Sequence, residues 1–453
     1  MSLKAAAARP RLLPNSAAAP KHLETAHQYP CYSPFPHSSS SSPTTMLNPS
    51  PTPYSSQLVP LRHLRMQVSS SMQGKTNFLT CDSVKLGKKW MEYQGANNWE
   101  GMLDPLDDNL RSEILRYGMF VEAAYRSFDF DPSSPTYATS KFPKSTLLSK
   151  SGIGQTGYRM TKNLKATCGI QLPRWFDRAP SWVSTQSSWI GYVAVCQDKE
   201  EISRLGRRDV VIAYRGTATC LEWLENLRAT LACLPGDDEA GPMVETGFLS
   251  LYTSRTAKCP SLQDSVRREI ARILEKYGDE PLSITITGHS LGAALATLTA
   301  HDINRSFPNA PMTTVISFGG PRVGNKRFRC QLEESGTRIL RIVNSDDLIT
   351  KVPGFVVDNN DVADSRAVQL AAGLPCWLQK RVEDTLLAYA EVGQELRLSS
   401  KQSPFLKKLD IATCHELSTY LHLVNGFVSS TCPFRATAKK VLNQHREKKL
   451  RLR

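Results

Sequence analysis

The sequence predicts an α/β fold, a largely parallel sheet covered by helices, with its chemistry gathered at the carboxyl ends of the strands. Three observations carry this. The runs at 209–214, 282–287 and 337–344 are rich in Val, Ile and Thr and read as strands. The second passes directly into Gly288-His289-Ser290-Leu291-Gly292 and then into Ala293-Ala294-Leu295-Ala296-Thr297-Leu298, good helix-forming sequence. The first and third end in polar loops, Arg215-Gly216-Thr217 and Ser345-Asp346-Asp347. Strand, tight turn and helix around a glycine-flanked serine form the nucleophile elbow of an α/β-hydrolase. The expected organisation is one such domain at about 88–434, behind a disordered leader at 1–80 and before a basic tail at 435–453.

Composition narrows the alternatives. The chain has 453 residues, 40% hydrophobic and 22% charged, ordinary values for a globular protein. It carries a net charge of +14, of which residues 1–80 contribute +6 and residues 435–453 contribute +7, leaving +1 for everything between. A nearly neutral core argues against nucleic acid as a partner. The eleven cysteines form no CxxC pair and no His/Cys cluster, so neither a zinc site nor a secreted disulfide framework is expected. No run of about 18 apolar residues is present. Membrane contact is therefore expected to be peripheral.

Residues 1–80 hold a single acid, Glu24, against seven Lys and Arg, and 34–53 is largely Ser, Thr and Pro. Such a segment buries too little apolar surface to offset its ordering entropy, and it fits a plastid transit peptide. A secretory signal would need an early apolar core, which is missing. The basic tail reads as a frayed, solvated end.

Taken along the chain, the first functional element is the strand at 209–214 with its Gly216 turn. An acyl-transfer site needs backbone donors aimed at a developing oxyanion. The Thr217 N–H is one expected donor, and the Leu291 N–H, next to the nucleophile, is the other. Arg215 is expected to tie this loop to its neighbours. Next comes the elbow: Gly288 and Gly292 remove side chains that would collide, and Ser290 stands at a helix amino terminus that favours negative charge. The strand at 337–344 then delivers Asp346 and Asp347, which spacing does not separate; functional groups in open α/β sheets gather at such strand ends.

The base follows by elimination among nine histidines. His22, His27, His37 and His63 lie in the leader, and His445 in the tail. His289 is expected to face away from Ser290, and His301 sits roughly 16 Å along the following helix at 1.5 Å per residue. His415 and His422 remain. Thr413-Cys414-His415-Glu416 reads as a capping box, which sets His415 in the first turn of a helix running to Asn425 with Gly426 as its stop. A positive helix end would keep its ring neutral. His415 is preferred, with His422 as a hydrogen-bonded structural residue.

These residues resemble the class 3 lipases, and within them the plant class I phospholipase A1 family of plastid lipases. The resemblance extends over about 88–434. It includes Trp90, Gln94-Gly95, Asn98-Trp99, the run Ser188-Trp189-Ile190-Gly191-Tyr192-Val193, Gly247-Phe248-Leu249, the run Phe318-Gly319-Gly320-Pro321-Arg322-Val323-Gly324-Asn325, and Tyr420-Leu421-His422-Leu423-Val424. The resemblance implies a triad of Ser290, Asp347 and His415, choosing between the two aspartates where spacing does not. It implies a lid from Ala218 to about Leu234, with Leu221, Trp223, Leu224, Leu227 and Leu231 as one apolar helical face. It also implies membrane glycerolipid substrates (phosphatidylcholine, galactolipids or triacylglycerol) cut at sn-1, without metal or cofactor. The competing readings are a catalytically silent scaffold, a soluble carboxylesterase and an acyltransferase.

Overall fold

The structure, a computed structural model, describes residues 85–167, 187–217, 230–237, 241–353, 389–406 and 410–435. Among these the strands are β1 (Tyr158–Thr167), β2 (Ser187–Cys196), β3 (Arg208–Tyr214), β4 (Leu231–Cys233), β5 (Met243–Glu245), β6 (Leu282–His289), β7 (Met312–Phe318), β8 (Arg338–Asn344) and β9 (Gln394–Leu398). Seven form one sheet in the order β1-β2-β3-β6-β7-β8-β9, and β4 pairs with β5 separately. The first three strands are antiparallel, whereas β3, β6, β7, β8 and β9 run parallel. This is the mixed, mainly parallel sheet of an α/β-hydrolase, and the three strands read from sequence are its centre.

Alternation along the strands loads both faces. In β3, Val211 and Ala213 join one core with α1 (Asp108–Ser127), while Val210, Ile212 and Tyr214 join another with α2 (Thr246–Thr253), α3 (Leu262–Tyr277) and α4 (Leu291–Ser306). Burial on both faces explains why β3 reads as a continuous apolar run. Strand β6 differs: Ile284 and Ile286 face the second core, but Ser283 and Thr285 are fully buried on the opposite side. The Thr285 hydroxyl donates to Gln94 Oε1 at 3.0 Å and the Ser283 hydroxyl to Asp209 Oδ1 at 2.9 Å. The alternation that marked this strand thus reflects a buried polar cluster and not a solvated face.

The register aligns the site. Tyr214 pairs with Gly288, Gly288 with Ser317, and Phe318 with Ile342, so the loops after β3, β6, β7 and β8 open at one level. The lid region to residue 229, the leader and the tail from 436 lie outside the described residues. Of the apolar lid face, Leu231 is described, and it belongs to β4 opposite Glu245, not to a helix. A β-strand partner overrides the helical spacing there.

Candidate active site

Ser290 stands between β6 and α4 with φ 57° and ψ −127°. A non-glycine residue held there stores about 1–3 kcal/mol, which persists only when the surroundings enforce it. They do so at several points. The Ser290 N–H donates to Phe318 O at 3.0 Å, pinning the turn to β7. A Cβ on Gly288 would lie 2.2 Å from Gly292 O, and one on Gly292 would lie 2.6 Å from Arg215 O. Only glycine lets strand, helix and the loop after β3 approach this closely. Ser290 is 1% exposed and stands at the N-cap of α4, its carbonyl accepting from Ala293 N–H at 2.9 Å.

The two aspartates after β8 diverge. Asp347 is fully buried and accepts on Oδ2 from His415 Nδ1 at 2.7 Å and from the Tyr420 hydroxyl at 2.6 Å, and on Oδ1 from Ile349 N–H at 2.9 Å. Asp346 turns toward β9, accepting from Ser399 Oγ at 2.8 Å and pairing with Lys401 Nζ at 3.2 Å. Geometry therefore brings Asp347, not Asp346, to His415. Tyr420 keeps its proton, because burial and the neighbouring Asp347 charge push its pKa well above the usual phenol range.

The helix around His415 differs from the sequence expectation. Asp410, not Thr413, is the cap: its Oδ1 accepts from Thr413 N–H at 2.7 Å and opens the short α5 (Ile411–His415). Glu416 breaks the run with φ −63° and ψ 137°, and α6 (Leu417–Gly426) follows. The carboxylate outcompetes the hydroxyl three residues on, so His415 closes a helix instead of opening one. The argument from a positive helix end does not apply to it. Gly426 is the last residue of α6 and not a left-handed stop; a Cβ there would meet Phe434 at 2.2 Å. His422 is half-buried and bonded to Ser403 Oγ at 3.1 Å.

The loop after β3 packs onto the elbow: a Cβ on Gly216 would lie 3.0 Å from Ser290 Cβ. Arg215 ties it down, donating to Trp189 O at 3.0 Å and Ser188 Oγ at 3.1 Å with its guanidinium 3.6 Å above the Phe128 ring. The Thr217 hydroxyl is buried and has no partner among the described residues. His289 does not point idly away. Its Nε2 bonds His415 O at 2.7 Å and its Nδ1 bonds the Tyr125 hydroxyl at 2.8 Å, which also accepts from Gly216 N–H at 2.9 Å. Sequence reasoning missed Tyr125, Tyr420 and Asn344, whose Nδ2 holds Cys414 O at 2.9 Å beside His415. Tyr420 stood inside a quoted family string, but nothing local signals a role for Tyr125, which lies 164 positions from His289.

The profile of the family Lipase (class 3) matches residues 211–357, from within β3 through the elbow and both aspartates. Phospholipase A(1) DAD1, chloroplastic, of Arabidopsis thaliana is 68% identical over 369 residues, covering 80% of this chain and 81% of that protein. This chain belongs to the class 3 lipases, in their chloroplastic phospholipase A1 branch. Two further Arabidopsis thaliana relatives of the lipase are phospholipase A1-Igamma2, chloroplastic, at 40% identity over 77% of this chain and 67% of that one, and galactolipase DONGLE, chloroplastic, at 39% over 76% and 71%. The lipase is thus a carboxylic-ester hydrolase of the plastid, as its serine-rich, acid-poor leader implies.

Proposed function

We propose that the protein hydrolyses the sn-1 acyl ester of membrane glycerolipids, phospholipid or galactolipid, through a covalent acyl-enzyme on Ser290. The observations that carry this are the 2.7 Å bond from His415 Nδ1 to the buried Asp347 and, at the turn after β6, a serine held at φ 57°. Donation from Nδ1 puts the acceptor lone pair on Nε2, where His415 takes the Ser290 proton as Oγ attacks the ester carbon. The ester C–O bond then breaks, and the imidazolium, stabilised by Asp347, returns that proton to the departing lysolipid oxygen. Water repeats the cycle on the acyl-enzyme, with the Leu291 and Thr217 N–H groups as oxyanion donors.

The substrate must leave a bilayer to reach Ser290, so the site needs a membrane-facing surface. Phe405, 61% exposed, lies in the connection from β9 to α5, and Ile411, 36% exposed, opens α5; both support peripheral membrane contact. The segment 218–229, outside the described residues, remains the proposed lid, residues 1–80 the proposed transit peptide, and 435–453 a basic tail.

The test is incubation of the protein from residue 85 onward with phosphatidylcholine and monogalactosyl lipid bearing different chains at sn-1 and sn-2. Release of the sn-1 chain, lost in Ser290→Ala, is expected. Folded protein that releases neither chain would refute the reading.

A further inference from the structure

The oxyanion loop and the base come from distant parts of the sequence, yet one pair of side chains joins them. Gly216 N–H, the Tyr125 hydroxyl, the His289 ring and the His415 carbonyl form an unbroken line of contacts at 2.9, 2.8 and 2.7 Å. The proton positions in this line are determined. A carbonyl only accepts, so His289 Nε2 carries the hydrogen and donates to His415 O. Its Nδ1 is then the acceptor, so the Tyr125 hydroxyl donates to it while accepting from Gly216 N–H. The Tyr125 hydroxyl and the His289 ring each donate one bond and accept one, and all four groups are buried or partly buried.

We propose that Tyr125 and His289 are positioning residues that couple the oxyanion loop to the catalytic histidine. Neither meets the reacting atoms. With Gly216 N–H held by Tyr125, the next N–H of the loop, on Thr217, is oriented toward the oxyanion. The same line holds the backbone of His415, so the base and the oxyanion donor share one support. His289 also stays neutral: burial, then the neighbouring His415 charge, drive its pKa well below the ordinary range. The support therefore keeps its tautomer when His415 is transiently protonated and the rings face each other with centroids 4.7 Å apart. A protonated His289 would repel the imidazolium that the reaction must form.

The inference rests on the lipase reading, and its test separates the two. Hydrolysis of a dissolved short-chain ester is measured for the wild type, Tyr125→Phe, His289→Leu and the double variant, each normalised by complete titration of Ser290 with a fluorophosphonate. Tyr125→Phe keeps the ring and removes only the hydroxyl. Misplacing one donor by a fraction of an ångström to an ångström costs up to about 10²-fold, so kcat per titrated site is expected to fall about 10- to 100-fold with KM changed less than about twofold. The double variant is expected to lose about as much as the worse single variant, since residues acting as one unit are not additive. Unchanged kcat in Tyr125→Phe, or losses that multiply in the double variant, would overturn the coupling. An inactive wild type would instead sink the lipase reading itself.

Discussion

At the scale of the residue, the two adjacent carboxylates are the sharpest case. Asp346 and Asp347 are one peptide apart and chemically identical, yet one meets Ser399 and Lys401 and the other meets His415 and Tyr420. Asp347→Asn leaves the shape intact but presents the wrong partner to Nδ1, so kcat is expected to fall by about 10⁴, the size of the corresponding loss in serine hydrolases generally. Asp346→Asn is expected to leave kcat within about threefold, because its bonds run to the β9 connection. Equal losses in the two variants would contradict this geometry. Gly216→Ala is a second residue-scale case. The added methyl would lie 2.4 Å from the Tyr125 hydroxyl and 2.8 Å from His289 O. It forces the oxyanion loop off the elbow, and steady-state kinetics are expected to show a kcat loss of at least about 10²-fold, comparable to deleting an oxyanion donor.

At the scale of the element, the stem formed by β4, β5 and α2 holds an acid that titrates within the physiological range. Glu245 is fully buried, and burial raises its pKa to about 7. Its Oε2 accepts from Phe248 N–H at 2.7 Å, capping α2, while Oε1 and the nearby Tyr389 hydroxyl have no partners among the described residues. A carboxyl whose folded pKa lies above its unfolded value near 4.5 holds its proton more tightly when folded. Its contribution is therefore fully present below pH 4.5 and is lost as pH rises toward about 7. The shift corresponds to about 3 kcal/mol at 1.36 kcal/mol per unit. Glu245→Gln retains the capping oxygen and removes the titration. Urea denaturation at pH 5 and pH 8 is expected to show the wild type losing stability relative to this variant as pH rises; parallel curves would refute the assignment. The α5 cap was misread for a related reason. Thr413 and Asp410 both satisfy helix-start chemistry, and only the folded backbone reveals which one faces the free N–H groups.

At the scale of the whole molecule, the candidate site and a buried ion cluster occupy opposite ends of the sheet. The loops after β3, β6 and β8 build the site, whereas the other ends of β3 and β6 enclose Asp209, which pairs with Arg116 at 3.2 Å and Arg207 at 3.9 Å and accepts from Tyr158 at 2.7 Å. Removing one partner strands a buried charge, at a cost of about 3–5 kcal/mol. Asp209→Ala is thus expected to lower the unfolding midpoint strongly while leaving kcat per titrated Ser290 unchanged below that midpoint; a kcat loss in the folded protein would contradict this separation. The exposed apolar pair Phe405 and Ile411 makes the complementary prediction. Replacing both Phe405 and Ile411 by serine is expected to reduce hydrolysis of vesicle lipid and vesicle co-sedimentation severalfold, with dissolved short-chain ester unaffected. Equal loss on both substrates would indicate damage to the site and not to its membrane contact.

The sequence by itself determined three central strands, the order along the chain of the loops that follow them, and the glycine-flanked serine turn. Those features depend on local rules: β-branched runs, glycine where only glycine fits, and polar residues at strand ends. It left His415 and His422 as candidate bases and preferred His415 through a helix that forms differently; the structure brings His415 to Asp347. Spacing left the two aspartates open and only the resemblance named Asp347; tertiary structure shows it facing His415, and it alone decided which nitrogen of His289 carries hydrogen. It also decided that Tyr125, Asn344 and Tyr420 belong to the site. The physical reason is that these choices depend on hydrogen-bond direction between groups 68 to 164 residues apart. Each side chain has several chemically equivalent partners available, and only the packed sheet, by fixing distances to a few tenths of an ångström, leaves one of them within reach.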